Sequence, residues 1–334
     1  MLRVGAVGCG GIGLRHQQAY LSHRDAKLVC VCDRVKAKAD DRAKQLGVKA
    51  YYSIKEMLAN EPLDAVDVVT SDHLHFAPVM ECLEAGKHTM CEKPLSLDIR
   101  EAEQMVAKAK EKGAHLAINY NRRFAPGYVK AREWFNAGAH GKLAYIMMKL
   151  SQGGPASSKK GEYYLLYELQ THAIDLLRWF GGEIVSVFAQ MVRPRLAQAK
   201  PGEPACYTSM AISLRYADEA VATLLASWDS DFVHPIEHFE ICGDKGEIIV
   251  DNIMSGARLL KRNDPVVQHW RPSIFRPELL AFDGSFQHRV HAFVSDLVAG
   301  RAPAPTGEDG LKALRVVEGI VKSWKEQRTQ NIEY

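Results

Sequence analysis

Two kinds of hydrophobic patterning divide the chain. Up to about residue 120, short apolar runs alternate with stretches whose apolar positions recur every three or four residues. The runs Leu2–Val7, Lys27–Cys32, Ala50–Tyr52, Ala65–Thr70, the one ending at Lys93, and His115–Asn119 are expected as buried strands. Helices are expected at Leu14–Ser22, Val35–Leu46, after a Ser53–Glu56 capping box, after His75 up to Gly86, and at Ile99–Lys112 before Gly113. Repeated βα units predict a doubly wound parallel sheet, because parallel neighbours need a crossover and the helices cover both faces. From about Gly141 the period changes to two. Strands are expected at Leu143–Leu150, Ile184–Val192, Tyr207–Tyr216, Ala220–Trp228 and Ile236–Ile241, with one helix at Glu168–Phe180 and a closing helix at Asp309–Gln327. That half reads as an α+β domain with a mostly antiparallel sheet, open on one face. The change falls near Tyr120–Pro126, giving domains 1–122 and 123–334.

At 334 residues and 47% hydrophobic content, two cores of ordinary size are expected. A net charge of +3, from 43 basic and 40 acidic side chains, argues against nucleic acid or a membrane surface as partner. Seven cysteines, mostly in apolar runs and without a paired spacing, suit reduced buried thiols. With no secretory leader and no long apolar segment, the expected location is the cytoplasm.

The first strand runs directly into Gly8-Cys9-Gly10-Gly11-Ile12-Gly13, followed by a helix. This is G-x-G-x-x-G in the context its chemistry requires. Glycine permits the tight turn and the close backbone approach to a pyrophosphate, while free N–H groups at the helix start face the anion. The next strand ends in Asp33, twenty residues after Gly13, where a carboxylate accepts hydrogen bonds from the ribose hydroxyls of NAD. The adjacent Arg34 would suit a 2′-phosphate, so NAD is expected with NADP as the alternative.

Lys93 lies where a strand meets Pro94, which cannot continue a ladder, and Asp98 with Glu101 forms an acidic capping box for the next helix. A lysine at such a break is either surface or chemistry. Ser71-Asp72-His73-Leu74-His75 follows another strand on the same binding edge, and two histidines without an acid or thiol partner give no reason to assign a metal. Arg122 and Arg123 stand at the domain boundary, as substrate ligands or as a tether. In the later helix Glu168, His172 and Asp175 are spaced by four and three, which places them on one face as a catalytic stripe or a solvated one. His234-Pro235-Ile236-Glu237-His238 matches H-x-x-E-H, but Pro235 and the strand-like run after it argue against the helix that a zinc site needs.

Taken together, the Gly8–Gly13 loop, Asp33, Thr70–His75, Glu92-Lys93-Pro94 and Asn121-Arg122-Arg123-Phe124 resemble the glucose–fructose oxidoreductase, inositol dehydrogenase and rhizopine catabolism (Gfo/Idh/MocA) family over nearly the whole chain. The resemblance implies a Rossmann domain for NAD or NADP and a C-terminal open-faced sheet through which a homodimer or homotetramer forms. It implies cofactor contacts from Thr70, Ser71, Asp72, His75, Glu92 and Lys93. It also implies a catalytic, substrate-binding Lys93 whose bond to Pro94 is often cis, and an acid–histidine–aspartate set at Glu168, His172 and Asp175. Here Ser71-Asp72 stands where the family usually has proline-asparagine, and Glu168 where aspartate is commoner. The expected activity is hydride transfer between nicotinamide and a secondary hydroxyl of a sugar, cyclitol or related polyol. His172 is the expected acid/base, because imidazole titrates near neutrality, and Lys93 the cation on the reacting oxygen. Glu168, Asp175, Arg122 and Arg123 are the expected further substrate contacts. The family also contains redox-neutral, NAD-dependent glycosidases, and a non-catalytic NAD-binding regulator is a further alternative.

Overall fold

The computed structural model describes residues 1–195, 198–229, 235–273, 275 and 281–334. It contains two compact units. The first begins with β1 (Leu2–Val7), α1 (Gly11–Ser22), β2 (Ala26–Cys32), α2 (Lys36–Leu46), β3 (Lys49–Tyr51), α3 (Ile54–Asn60), β4 (Ala65–Val68), α4 (Phe76–Glu84), β5 (His88–Cys91), α5 (Ile99–Glu111) and β6 (Leu116–Ile118). All six strands are parallel, in the order β3-β2-β1-β4-β5-β6. Strand order reverses between β1 and β4, and ligands of such sheets bind beyond the carboxyl ends of the strands at that point. The loops after β1, β4 and β5 therefore carry the candidate chemistry.

Ser53 caps α3 as expected, accepting the Glu56 N–H at 3.2 Å. The box expected at α5 is built differently. Asp98 accepts the Arg100 N–H at 2.8 Å, while the Ser96 hydroxyl donates to Glu101 at 2.5 Å and accepts the Asp98 N–H at 3.0 Å. Ser96 thus relays the contact that a capping box makes directly.

The second unit continues with α6 (Pro126–Asn136), β7 (Leu143–Ser151), α7 (Thr171–Gly181), β8 (Ile184–Val192), β9 (Ser209–Tyr216), β10 (Val221–Ser227), β11 (Glu237–Gly243), β12 (Gly246–Asp251), β13 (Gly256–Lys261) and β14 (Gln268–Trp270). After α8 (Asp283–Val298) and α9 (Gly307–Glu326), the short β15 (Gln330–Asn331) joins its sheet. The order is β14-β13-β12-β11-β7-β10-β9-β8-β15, with β7 and β10 the parallel pair and the other described pairs antiparallel. Alternation along the strands gives one buried face and one open face, the latter carrying Tyr145 and Met147 of β7 and Val221 and Leu225 of β10. The α/β class and the mixed, mostly antiparallel second sheet agree with the sequence.

The two compact units are discontinuous in sequence. The first unit is Met1–Asn121 plus Asp283–Leu311, and the second is Arg122–Phe282 plus Lys312–Tyr334. Residues 283–311, read as part of a contiguous second domain, return because α8 supplies Val290, Phe293 and Val294 to the core formed by Val4, Leu28, Met90 and Tyr20. Burying each such side chain stabilises by about 1.5–3 kcal/mol, enough to fix where the helix packs. All seven cysteines are free and six are buried, as expected. Among the described residues, no helix is long and apolar enough to cross a membrane.

Candidate functional site

The glycine loop separates packing from approach. A Cβ on Gly8 would lie 2.3 Å from the Val69 carbonyl oxygen, and one on Gly13 would lie 2.3 Å from that of Gly8. Gly8 also has φ +105°, a region that side chains disfavour. At Gly10 and Gly11 a Cβ would meet nothing within 4 Å. Those two residues and Ile12 are exposed at the start of α1, which has no side-chain cap and no acid in its first turn. Uncapped N–H groups beside open backbone fit a dinucleotide pyrophosphate.

Asp33 follows β2 and steadies this loop, accepting the Cys9 N–H through Oδ2 and the Val35 N–H through Oδ1, each at 2.9 Å. Its oxygens keep further lone pairs for ribose hydroxyls. Arg34 is exposed beside it. Sequence reasoning missed Arg42, whose Nη1 donates to Gln17 at 2.5 Å and whose Nη2 donates to the Cys9 and Gly10 carbonyls at 3.2 and 3.3 Å. A lone arginine on an exposed helix gives no signal of such a reach.

Beyond β4, Asp72–Leu74 forms a short 3₁₀ turn in which Asp72 accepts the His73 N–H at 2.8 Å, and Thr70 and Ser71 lead into it. His75 is almost fully buried, with Nδ1 2.7 Å from the Pro94 carbonyl oxygen and Nε2 3.2 Å from that of Thr70. Burial holds its pKa below the ordinary histidine value, outweighing those backbone contacts. A neutral ring has one N–H, and the shorter contact assigns it to Nδ1. His75 thus ties the β4 loop to the segment after β5.

The Lys93–Pro94 bond is cis, and Lys93 is partly exposed. Glu92 turns inward and is 7% exposed. Its Oε2 accepts the Lys93 backbone N–H at 2.9 Å, and its Oε1 faces His16 Nε2 at 3.1 Å and accepts from Asn119 Nδ2. His16 Nδ1 lies 2.9 Å from Asp67 Oδ2, and His16, Asp67 and Asn119 have no exposed surface. Burial opposes charge on His16, yet Asp67 and Glu92 outweigh it and raise its pKa to about 10. Burial likewise pushes Glu92 upward, but the hydrogen bond and charge of His16, with Lys93, hold it below its ordinary value. Glu92, expected among the cofactor contacts, is part of a buried ionic cluster. The overlooked signal was Asp67, a charge inside the apolar run of β4, since a buried carboxylate requires a partner.

In the second unit, the helix expected at Glu168–Phe180 is a π turn at Leu166–Gln170 followed by α7. The wider turn displaces Glu168 from the stripe that α spacing predicts. Glu168 is partly exposed, whereas His172 and Asp175 are 6% and 0% exposed, so those two do not lie on a solvated face. Arg123 donates to both Asp175 oxygens, Nε to Oδ2 at 2.8 Å and Nη2 to Oδ1 at 2.6 Å. These two residues, both expected to bind substrate, thus also hold each other. Arg122 has a carboxylate partner as well. Its Nε donates to Glu237 Oε2 at 2.7 Å, Tyr128 donates to Oε1 of the same carboxylate, and all three are buried. That arrangement braces the second unit.

His234 of the H-x-x-E-H motif lies outside the described residues. Glu237 and His238 are on β11 rather than a helix, with Glu237 holding Arg122 and His238 facing Asp251 at 2.6 Å. Among the described residues, no three His, Cys, Asp or Glu side chains are grouped to hold a metal.

Comparison with known proteins follows this division. The model of the GFO/IDH/MocA oxidoreductase family's NAD-binding Rossmann fold matches residues 2–120, and that of a GFO/IDH/MocA C-terminal domain matches residues 128–249. A myo-inositol 2-dehydrogenase of Thermotoga maritima is 28% identical over 339 residues, covering 99% of each chain. A scyllo-inositol 2-dehydrogenase (NAD(+)) of Bacillus subtilis is 30% identical over 263 residues, covering 75% of this chain and 74% of its own. The crystal structure of an NAD binding oxidoreductase from Klebsiella pneumoniae shares the fold with a TM-score of 0.90 at 23% identity, covering 100% of this chain and 99% of its own.

Proposed function

Because the chain belongs to the GFO/IDH/MocA oxidoreductase family and is an NAD-dependent dehydrogenase, we propose that its substrate is a cyclitol, sugar or related polyol with a reactive secondary hydroxyl. The observation carrying this reading lies in the first unit. One sheet edge presents the open glycine turn after β1 and, after β5, a lysine fixed at a chain break. The inositol dehydrogenases that resemble the chain over most of its length support the substrate class.

When bound, NAD supplies the acceptor for the hydride. Gly10, Gly11 and the first turn of α1 would hold its pyrophosphate, Asp33 would accept from a ribose hydroxyl, and Thr70, Ser71 and Asp72 would contact its nicotinamide half. His172 takes the hydroxyl proton as the C–H hydride departs, and returns it in the reverse direction. Lys93 donates a hydrogen bond to the reacting oxygen and stabilises the negative charge that develops there. Glu168 accepts from a neighbouring hydroxyl. Asp175, held by Arg123, positions α7 rather than meeting substrate.

We assign the protein to the cytoplasm, in keeping with its free cysteines, and to a homo-oligomer through the open face bearing Tyr145, Met147, Val221 and Leu225. Light scattering that finds only monomer would remove the oligomer. For the activity, purified protein is mixed with NAD and a panel of inositols and sugars while nicotinamide reduction is followed by absorbance. Reduction by at least one polyol is expected. Release of an aglycone from a glycoside without net NADH would replace this reading with the redox-neutral one.

A further inference from the structure

We propose that His16, acting through Glu92, positions Lys93 for catalysis, a role that rests on the reading of Lys93 given above. The connection uses two hydrogen bonds. His16 Nε2 lies 3.1 Å from Glu92 Oε1, and the other oxygen of that carboxylate accepts the Lys93 backbone N–H at 2.9 Å. Asp67 on β4 fixes the far side of the imidazole at 2.9 Å, and Asn119 after β6 donates to the same Glu92 oxygen that His16 faces. Three adjacent strands thereby converge on the residue before Lys93. The residue after it is held separately, by His75 on the Pro94 carbonyl at 2.7 Å.

Stability alone does not account for the arrangement. Burying an ion triad is often no better than packing apolar side chains of similar volume, because desolvation offsets the attraction. What hydrogen bonds to fixed carboxylates add is a defined position for the backbone they hold. The other groups around His16 do not supply that definition. Phe286 of α8 presents a ring 5.8 Å away, Tyr20 is buried near Asp67, and Arg289 donates to the Ile118 and Pro305 carbonyls. His16 is the cationic member between two carboxylates, and without it Glu92 faces Asp67 across a dry interior. Glu92 then loses the partner that fixes the orientation of its carboxylate.

The test compares wild type with His16→Asn and Glu92→Gln, using whichever polyol reduces NAD most rapidly. For His16→Asn, kcat is expected to fall on the order of 100-fold, with the polyol KM and the NADH dissociation constant within about twofold of wild type. Glu92→Gln keeps an acceptor for the Lys93 N–H and should lose less activity than Glu92→Ala. Hydrogen exchange of the peptide spanning residues 90–97 should accelerate in His16→Asn.

An unchanged kcat with unchanged exchange overturns the proposal, as does a kcat loss matched by an equal loss of NADH affinity, the pattern of general disruption. Should wild type oxidise no polyol, the substrate reading falls while the exchange data still decide whether His16 holds the segment. Should His16→Asn fail to fold, nitrogen-15 histidine spectra of the unaltered protein replace it. One doubly protonated ring persisting above the titration of the others supports the cluster, and none persisting overturns it.

Discussion

Arg123 and Asp175 meet through two parallel hydrogen bonds of 2.8 and 2.6 Å, with their side chains 9% and 1% exposed. Removing one partner leaves the other as a buried, uncompensated charge. Arg123→Met should destabilise the protein by about 3–5 kcal/mol, measured by denaturant unfolding. Arg123→Met with Asp175→Leu should be less damaging than Arg123→Met alone. An additive double variant would show that the two do not depend on each other.

His172 stands on a helix buried on nearly every side, so its substitution is expected to separate chemistry from cofactor binding. His172→Ala should lower kcat by about a thousandfold, within the usual range for a lost general acid/base, while NADH fluorescence titration gives an unchanged affinity. Normal turnover by this variant would assign the proton to another group.

The glycine loop allows a sharper contrast. Gly13→Ala would drive a methyl group to 2.3 Å from the Gly8 carbonyl and should lower the melting temperature, whereas Gly10→Ala places its methyl in open space and should leave melting unchanged. Gly10→Ala should nevertheless weaken NADH binding by roughly tenfold or more, because that space is where the pyrophosphate approaches the backbone. Equal melting temperatures for the two variants would contradict the division.

Two buried histidines set opposite limits on stability with pH. His16 is raised from 6.5 to about 10, so its contribution is complete below 6.5 and is lost as pH rises toward 10. His75 is lowered from 6.5 by burial, so its contribution is complete above 6.5 and is lost as pH falls below it. Thermal unfolding across pH should show both declines. His16→Asn should remove the alkaline one, and His75→Asn should reduce the acid one.

Much of this was legible in the sequence, for identifiable reasons. Val4 to Val7 and the glycines after them form a local pattern in which strand, turn and helix start each require particular residues. Five strands of the second sheet, β7 to β11, announced themselves through alternation, to within one or two residues at each end, while the shorter β12 to β15 did not. Pairings between distant segments were not legible. His16 reads as an ordinary polar position on α1, and nothing in its spacing points to Glu92 seventy-six residues later. The arginines at 122 and 123 read equally as substrate ligands or as a tether, and nothing in the sequence named Glu237 or Asp175 as their partners. The π turn at Leu166–Gln170 runs through Glu168, so the α spacing of Glu168 with His172 does not hold there.

Completion of the first unit by residues 283–311 has a consequence for biosynthesis. The ribosome releases all six parallel strands before it has made α8, whose Val290, Phe293 and Val294 share a core with Tyr20 of α1. During that interval the nascent sheet lacks part of its cover while most of the second unit is being translated. The half of the protein that is made first is therefore among the last to be finished.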